Sequence, residues 1–143
     1  MESRVFKGIV WAGLLFGAEV DMPTSRGYKG IVERGLYILW TNGDPLTTMH
    51  MVFMYATNSV KRGWWERVTV VVWGASMKLI AQNEDVRKAV KQAQEQGVHV
   101  SACKACADAL GMSEILMDLG VEVKYWGEPL TEILKSGGTL LTV

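Results

Sequence analysis

Residues 68–74 read Val68-Thr69-Val70-Val71-Val72-Trp73-Gly74, a β-branched run closed by a tryptophan and a glycine. A strand with one wet face alternates apolar and polar side chains, whereas a strand covered by helices on both faces is apolar almost throughout. The run is of the second kind and predicts a central strand of a mostly parallel sheet. Working outward, the chain from Gly35 on alternates β-branched runs with helical patterns, as repeated βα units require. Upstream, Leu36 to Trp40 predicts a first strand. Asp44 can cap the helix that follows, and Pro45 suits its first position, where the missing N–H would have no partner. Met49, Val52, Phe53, Ala56 and Val60 recur at helical spacing as its core face, and Gly63 ends it.

Downstream, a helix starts near Ser76. Asn83 caps the next one, which carries Val86, Ala89, Val90 and Ala93 on one side and stops before Gly97. Val98 to Ala102 predicts a third strand, followed by Cys103 and Cys106 on a helix that ends near Gly111. Ser113 caps a short helix, Val121 to Trp126 is a fourth strand, Pro129 opens a last helix, and Thr139 to Val143 is a fifth strand. The expected fold class is therefore α/β, a single domain over residues 35–143 preceded by an N-terminal apolar extension over residues 1–34.

A chain of 143 residues that is 49% hydrophobic can bury one real core. Fifteen basic and fifteen acidic residues cancel, and no Lys/Arg run occurs, so the electrostatic footprint of a nucleic-acid or anionic-membrane binder is missing. Ile9 to Ala18 is apolar behind Arg4 and Lys7, but it is short of the roughly 20 residues that span a bilayer. As a secretory signal it is poor, with bulky Phe16 before Ala18 and Glu2 in the basic start. An apolar helix resting on the domain or on a neighbouring subunit, then a polar linker from Pro23 to Gly27, is the expectation. The two cysteines lie three apart, unlike the spread framework of a disulfide-stapled secreted domain, and the expected compartment is the cytoplasm.

Ligands of open parallel sheets bind outside the carboxyl ends of the strands. Asn42 and Asp44 follow the first strand, Gly74, Ser76 and Lys78 the second, Cys103 and Lys104 the third, and Glu128 the fourth, which Trp126 closes. Thiol chemistry needs the thiolate, which a helix N-terminus favours, and Cys103 holds that position. Lys104 and Lys78 would act in the same direction, or are solvated surface lysines. Cys106, one turn further on, can attack a disulfide or persulfide formed at Cys103; an inert buried pair is the alternative. No metal is expected, because one pair supplies two of four zinc ligands and neither His50 nor His99 completes a spacing. Both histidines are expected to be satisfied and partly buried. Trp40, Trp73 and Trp126, the Trp64-Trp65 pair and Met49, Met51 and Met54 are expected to serve packing or subunit contacts.

The runs Trp40-Thr41-Asn42-Gly43-Asp44, Val70 to Ser76, and above all Ala102-Cys103-Lys104-Ala105-Cys106-Ala107-Asp108 resemble the DsrE/DsrF-like sulfur-relay superfamily over about residues 35–143. The resemblance implies a three-layer α/β/α fold with a five-stranded parallel sheet and homo-oligomers, commonly trimers or hexamers. It also implies cysteines that carry sulfur as a persulfide between donor and acceptor proteins or small sulfur species, with no cofactor. Cys103 and Gly111 match the family's spacing from sulfur-carrying cysteine to glycine, and Cys106 matches the second cysteine of some relatives. Ala109 and Leu110 stand where the relay members have arginines.

A sulfur carrier or sulfurtransferase-like protein is the function so implied. A dithiol/disulfide switch is a second possibility, although a thioredoxin fold needs antiparallel strands and a cis-proline facing the pair. A non-catalytic oligomeric module binding a nucleotide or flavin is a third. Against it, Asp44 puts an acid where a phosphate would sit, and no glycine-rich phosphate loop is present.

Overall fold

The computed structural model describes residues 35–143, and the expected apolar helix and linker of residues 1–34 lie outside the described residues. Strand β1 (Gly35–Trp40) feeds a continuous helical stretch, α1, over residues 45–61, whose middle, Thr48–Phe53, is π-helical. Asp44 caps it, accepting the Thr47 N–H at 2.7 Å. Then follow β2 (Arg67–Val72), α2 (Ala75–Gln82), α3 (Glu84–Glu95) and β3 (His99–Cys103). Helices α4 (Lys104–Ala109) and α5 (Ser113–Asp118), strand β4 (Glu122–Lys124), helix α6 (Gly127–Lys135) and strand β5 (Thr139–Thr142) complete the chain. Asn83 caps α3 as expected, accepting from the Asp85 and Val86 N–H groups at 2.9 and 3.1 Å.

The sheet is five-stranded, in the order β4-β3-β2-β1-β5, and parallel at every pairing. Its first three crossovers step in one direction and the last returns to the far side of β1. Right-handed connections then put α1 to α5 on one face and α6 on the other. Side-chain contacts agree. On the first face Leu36, Ile38, Trp40, Val68, Val70, Val72, Val100 and Ala102 are all buried, and Phe53 of α1 meets the Trp40 ring edge-on at 5.1 Å. Each such fully buried aliphatic side chain stabilises the fold by roughly 1.5–3 kcal/mol. On the second face Tyr37, Thr69 and His99 share a cleft of about 610 Å³ with Trp126 and Ile133, so among the described residues this side is only partly covered.

Several limits differ from expectation. The core face of α1 uses Thr48 and Ser59 where the apolar pattern pointed to Met49 and Val60, both half-buried. The last helix begins at Gly127, not at Pro129; a proline two residues in is tolerated because first-turn N–H groups have no helical acceptor. Strand β4 stops at Lys124, short of Trp126, which turns inward to begin α6. Ser113 is the first residue of α5 and does not cap it; its hydroxyl donates to Asp108 at 2.6 Å.

On the second face one buried polar contact fixes how α6 meets the sheet. Trp126 Nε1–H donates to Ser101 Oγ at 2.7 Å, with Tyr37 edge-on to the indole at 6.3 Å and Lys124 Nζ 4.8 Å over it. Ser101 and Trp126 are both buried, so removing one partner strands the other. Trp126→Phe is expected to destabilise the fold by about 1–3 kcal/mol, and the double variant Trp126→Phe/Ser101→Ala by less than the two single losses added. Urea midpoints of the four proteins check this, and strict additivity would show that the contact contributes nothing.

Candidate functional site

The carboxyl ends of β1, β2 and β3 lie side by side, with Trp40 opposite Val72 and Val72 opposite Ala102. The next residues outward are Thr41, Trp73 and Cys103. Cys103 ends β3 in extended backbone (φ −73°, ψ 116°) and stands at the cap position of α4 without capping it through its side chain. It is 3% exposed. Cys106, one turn into α4, is half-buried, and both thiols are free. They lie close together, and Cys103 acts on the Cys106 thiol. The turn after β2 lies beside them, and Gly74 and Trp73 both act on the Cys106 thiol.

Burial pushes the Cys106 thiol up from the ordinary cysteine value, and Cys103 beside it acts in the same direction. Gly74 and Trp73 pull it down, by less. At rest the thiol is therefore held protonated. Helix α4 is only six residues long, so its dipole is a short one.

The sequence-derived supporting residues divide into two groups. Gly74 is at the thiols, as just described. Ser76, fully buried, ties the strand ends together: its hydroxyl donates to Trp40 O at 2.6 Å and accepts the Trp73 N–H at 3.1 Å. The others face elsewhere. Asn42 accepts the Asp44 N–H at 2.6 Å and Asp44 caps α1, so both are used in shaping the loop after β1. Thr47 donates to the Asp44 carboxyl and holds it below the usual carboxylate range. Lys104 reaches Asp108 at 2.8 Å, and Lys78 is exposed on α2. Neither lysine is among the groups that act on Cys106. The Lys104 and Ser113 hydrogen bonds keep the Asp108 carboxyl low, and Asp108 in turn raises Lys104. Trp126 is spent on Ser101 and does not rim the thiols.

Trp73 is the residue that sequence reasoning assigned to packing and the structure brings to a sulfur. Its signal was its place: it directly follows the residue paired with Ala102, so its backbone is alongside Cys103. The histidines also differ from expectation, since both are exposed. His99 is nonetheless partnered, 2.8 Å from Glu122 and 3.4 Å from Thr69 Oγ1. Burial would raise the Glu122 carboxyl, but hydrogen bonds from Lys124 and His99 outweigh it and hold it low. Among the described residues no group of three or more His, Cys, Asp or Glu side chains could hold a metal, and no helix is long and apolar enough to cross a membrane.

Residues 37–143 match the model of the DsrE/DsrF-like family. A conserved protein of unknown function from Bacteroides thetaiotaomicron is 39% identical, with a TM-score of 0.75 over 77% of this chain and 95% of that one. The YchN protein of E. coli is 18% identical, with a TM-score of 0.62 over 78% of this chain and 100% of its own. A protein of unknown function from Methanobacterium thermoautotrophicum is also 18% identical, with a TM-score of 0.58 over the same shares, 78% and 100%. The last two show likeness of fold. No curated protein matches the sequence.

Exposure sets the order in which the thiols react, and the raised Cys106 value sets the pH at which that thiol does so. Iodoacetamide applied to the native protein is expected to modify Cys106 ahead of Cys103, with a rate that rises with pH to a midpoint above that of free cysteine. Cys103→Ala should lower that midpoint by removing the neighbouring thiol. Peptide mapping of alkylated protein across a pH series checks both statements, and Cys103 reacting first would contradict the packing described.

Proposed function

The chain belongs to the DsrE/DsrF-like family, and from that premise we propose that it carries sulfane sulfur as a cysteine persulfide on the Cys103–Cys106 pair and passes it to a partner thiol. The observation that carries this reading is the placement of two free thiols one helical turn apart at the carboxyl edge of the sheet, one buried and one reachable. A lone surface cysteine would lose a bound sulfur to any passing thiol. A pair with one sheltered member can hold it and still present it.

The family is associated with sulfur relay, which favours this use of the pair over an inert one. The donor and acceptor are other proteins or small sulfur species, and a reducing compartment such as the cytoplasm keeps the pair free to react. We further propose that the chain works as a homo-oligomer, a trimer or hexamer. In support, parallel sheets are normally covered on both faces, and here the face bearing Tyr37 and Leu39 leaves both half-exposed.

The same adjacency of thiols would serve a dithiol/disulfide switch, but the sheet is parallel throughout, unlike that of the thioredoxin-type switches. A phosphate-binding module is disfavoured by Asp44, whose carboxylate occupies the N-terminus of α1.

Intact-mass measurement after reduced protein meets persulfide, polysulfide and thiosulfate donors tests the carrier. The expected result is a gain of one or more sulfur atoms that reductant removes and that the double variant Cys103→Ser/Cys106→Ser abolishes. A loss of two hydrogens with no sulfur gained from any donor would replace the carrier by the redox switch.

A further inference from the structure

The loop after β1 is set up for a reaction of its own. Of the chain's three asparagines, Asn42, Asn58 and Asn83, only Asn42 is followed by glycine. A side-chain carboxamide can be attacked by the peptide nitrogen of the next residue, and a side chain on that residue hinders the approach. Gly43 has none, and it is exposed to water while Asn42 is half-buried.

One hydrogen bond prepares Asn42 for that attack. Its Oδ1 accepts the Asp44 N–H at 2.6 Å, which closes a turn of the side chain over the intervening Gly43 nitrogen. The bonded oxygen is the atom on which negative charge grows as the nitrogen adds to Cγ. The Asp44 N–H therefore stabilises the intermediate as an oxyanion-hole donor does. The other two asparagines lack this combination. Asn83 has the same bond, to the Asp85 N–H at 2.9 Å, but Glu84 follows it. Asn58 lies inside α1, its Nδ2 donating to Met54 O at 3.0 Å, with the fully buried Ser59 after it.

We propose that Asn42 is a self-modification site, where the fold promotes ring closure onto the Gly43 nitrogen with loss of the side-chain amide, and that the isoaspartyl product displaces the turn beside the thiol pair. The Gly43 N–H gives its proton to water or hydroxide, and the nitrogen adds to Asn42 Cγ. The N–Cγ bond forms, the Cγ–Nδ2 bond breaks, and Nδ2 takes a proton from solvent and leaves as ammonia. Water then opens the five-membered imide. Addition at Cγ leaves an aspartate at position 42; addition at the main-chain carbonyl leaves isoaspartate, whose main chain runs through Cβ and Cγ. Water is the one co-reactant, and nothing is oxidised or reduced.

Isoaspartate lengthens the main chain by one atom where the surroundings hold it on both sides. Thr41 is pinned, its N–H and hydroxyl both donating to Val143 O, at 2.8 and 3.1 Å. Gly43 lies against the start of α2, so close that a side-chain carbon on it would come within 3.2 Å of Ala75 Cβ. The added atom thus pushes Gly43 toward Ala75 and moves the preceding Trp73-Gly74 turn, whose backbone runs alongside Cys103.

The test incubates the full chain at several pH values and follows each asparagine by peptide mapping, with fragmentation that separates aspartate from isoaspartate. A synthetic peptide of residues 39–47 in the same buffer gives the rate without the fold. Asn42 is expected to convert about tenfold faster in the folded chain than in the peptide, the size of one hydrogen bond to a charged group, and faster at higher pH. Asn58 and Asn83 should keep their amides over the same time. Asn42→Gln, whose longer side chain must close a larger ring, should show no conversion at that loop. Conversion of Asn42 no faster than in the peptide overturns the part played by the fold, and Asn83 converting alongside Asn42 overturns the part played by Gly43.

The isoaspartyl form, separated by ion exchange, is then alkylated beside Asn42→Asp, which adds the charge without the extra atom. Cys106 should react severalfold faster in the isoaspartyl form. A rate equal to that of Asn42→Asp overturns the displacement of the turn and leaves the modification itself to be decided by the peptide maps.

Discussion

Every strand of a parallel sheet points the same way, so every strand ends at one edge, and each crossover must return the chain to the opposite edge. That constraint governs this molecule. It leaves Trp40, Val72 and Cys103 at the ends of three adjacent strands and starts the next segment of each at the same edge. The buried Ser76 hydroxyl, bonded to the ends of both β1 and β2, locks two of those ends together. The thiol pair is placed by the third. The chemistry of the site is thus a by-product of sheet direction, with Ser76 supplying the local rigidity.

Much of this was legible in the amino-acid order. Val68 to Val72 could be read as a central strand because its composition leaves no wet face, and the thiol pair could be placed because Val98 to Ala102 ends immediately before it. What escaped notice escaped for physical reasons. Thr48 and Ser59 are polar, and a search for apolar spacing passes over them; their hydroxyls nevertheless sit fully buried without side-chain hydrogen bonds, Thr48 in the π-helical stretch and Ser59 in the α-helical turns after it. The start of α6 was hidden because its cap residue is Trp126, a type with no capping side chain, and because Pro129 mimics a first helical position. Trp73 was hidden because the sense of a side chain beyond the last ladder pair is set by the turn, and a sequence carries no information on how that turn closes. Lys104 looked like a partner for Cys103 only until Asp108, four residues on, took it.

At Cys106 opposing effects meet, and their balance separates resting from reacting states. Burial and a neighbouring thiol favour the neutral form, and Gly74 and Trp73 favour the charged one. Because burial wins, the sulfur is quiet in the absence of a partner. A donor or acceptor that covers the site adds to the desolvation but strengthens the polar interactions of Gly74 and Trp73 with the sulfur as well, since both operate through a lower local dielectric. The contrast with Asp108 is instructive. There the partners, Lys104 and Ser113, outweigh burial, and the carboxyl stays ionised.

The position of β5 bears on how the protein comes to be folded. Strand β1 lies between β2, its neighbour in sequence, and β5, and the bond from Thr41 Oγ1 to Val143 O spans 102 residues at 3.1 Å. Closing a loop of that length carries a large entropic cost before any contact repays it, and sheets dominated by such pairings fold slowly. Until it closes, one edge of β1 is an open template for another chain. The same pairing fixes the end of β1, from which Trp40 O holds the turn after β2. The backbone that shapes the turn before Cys106 is thus held in place by a strand more than thirty residues beyond both sulfurs in sequence.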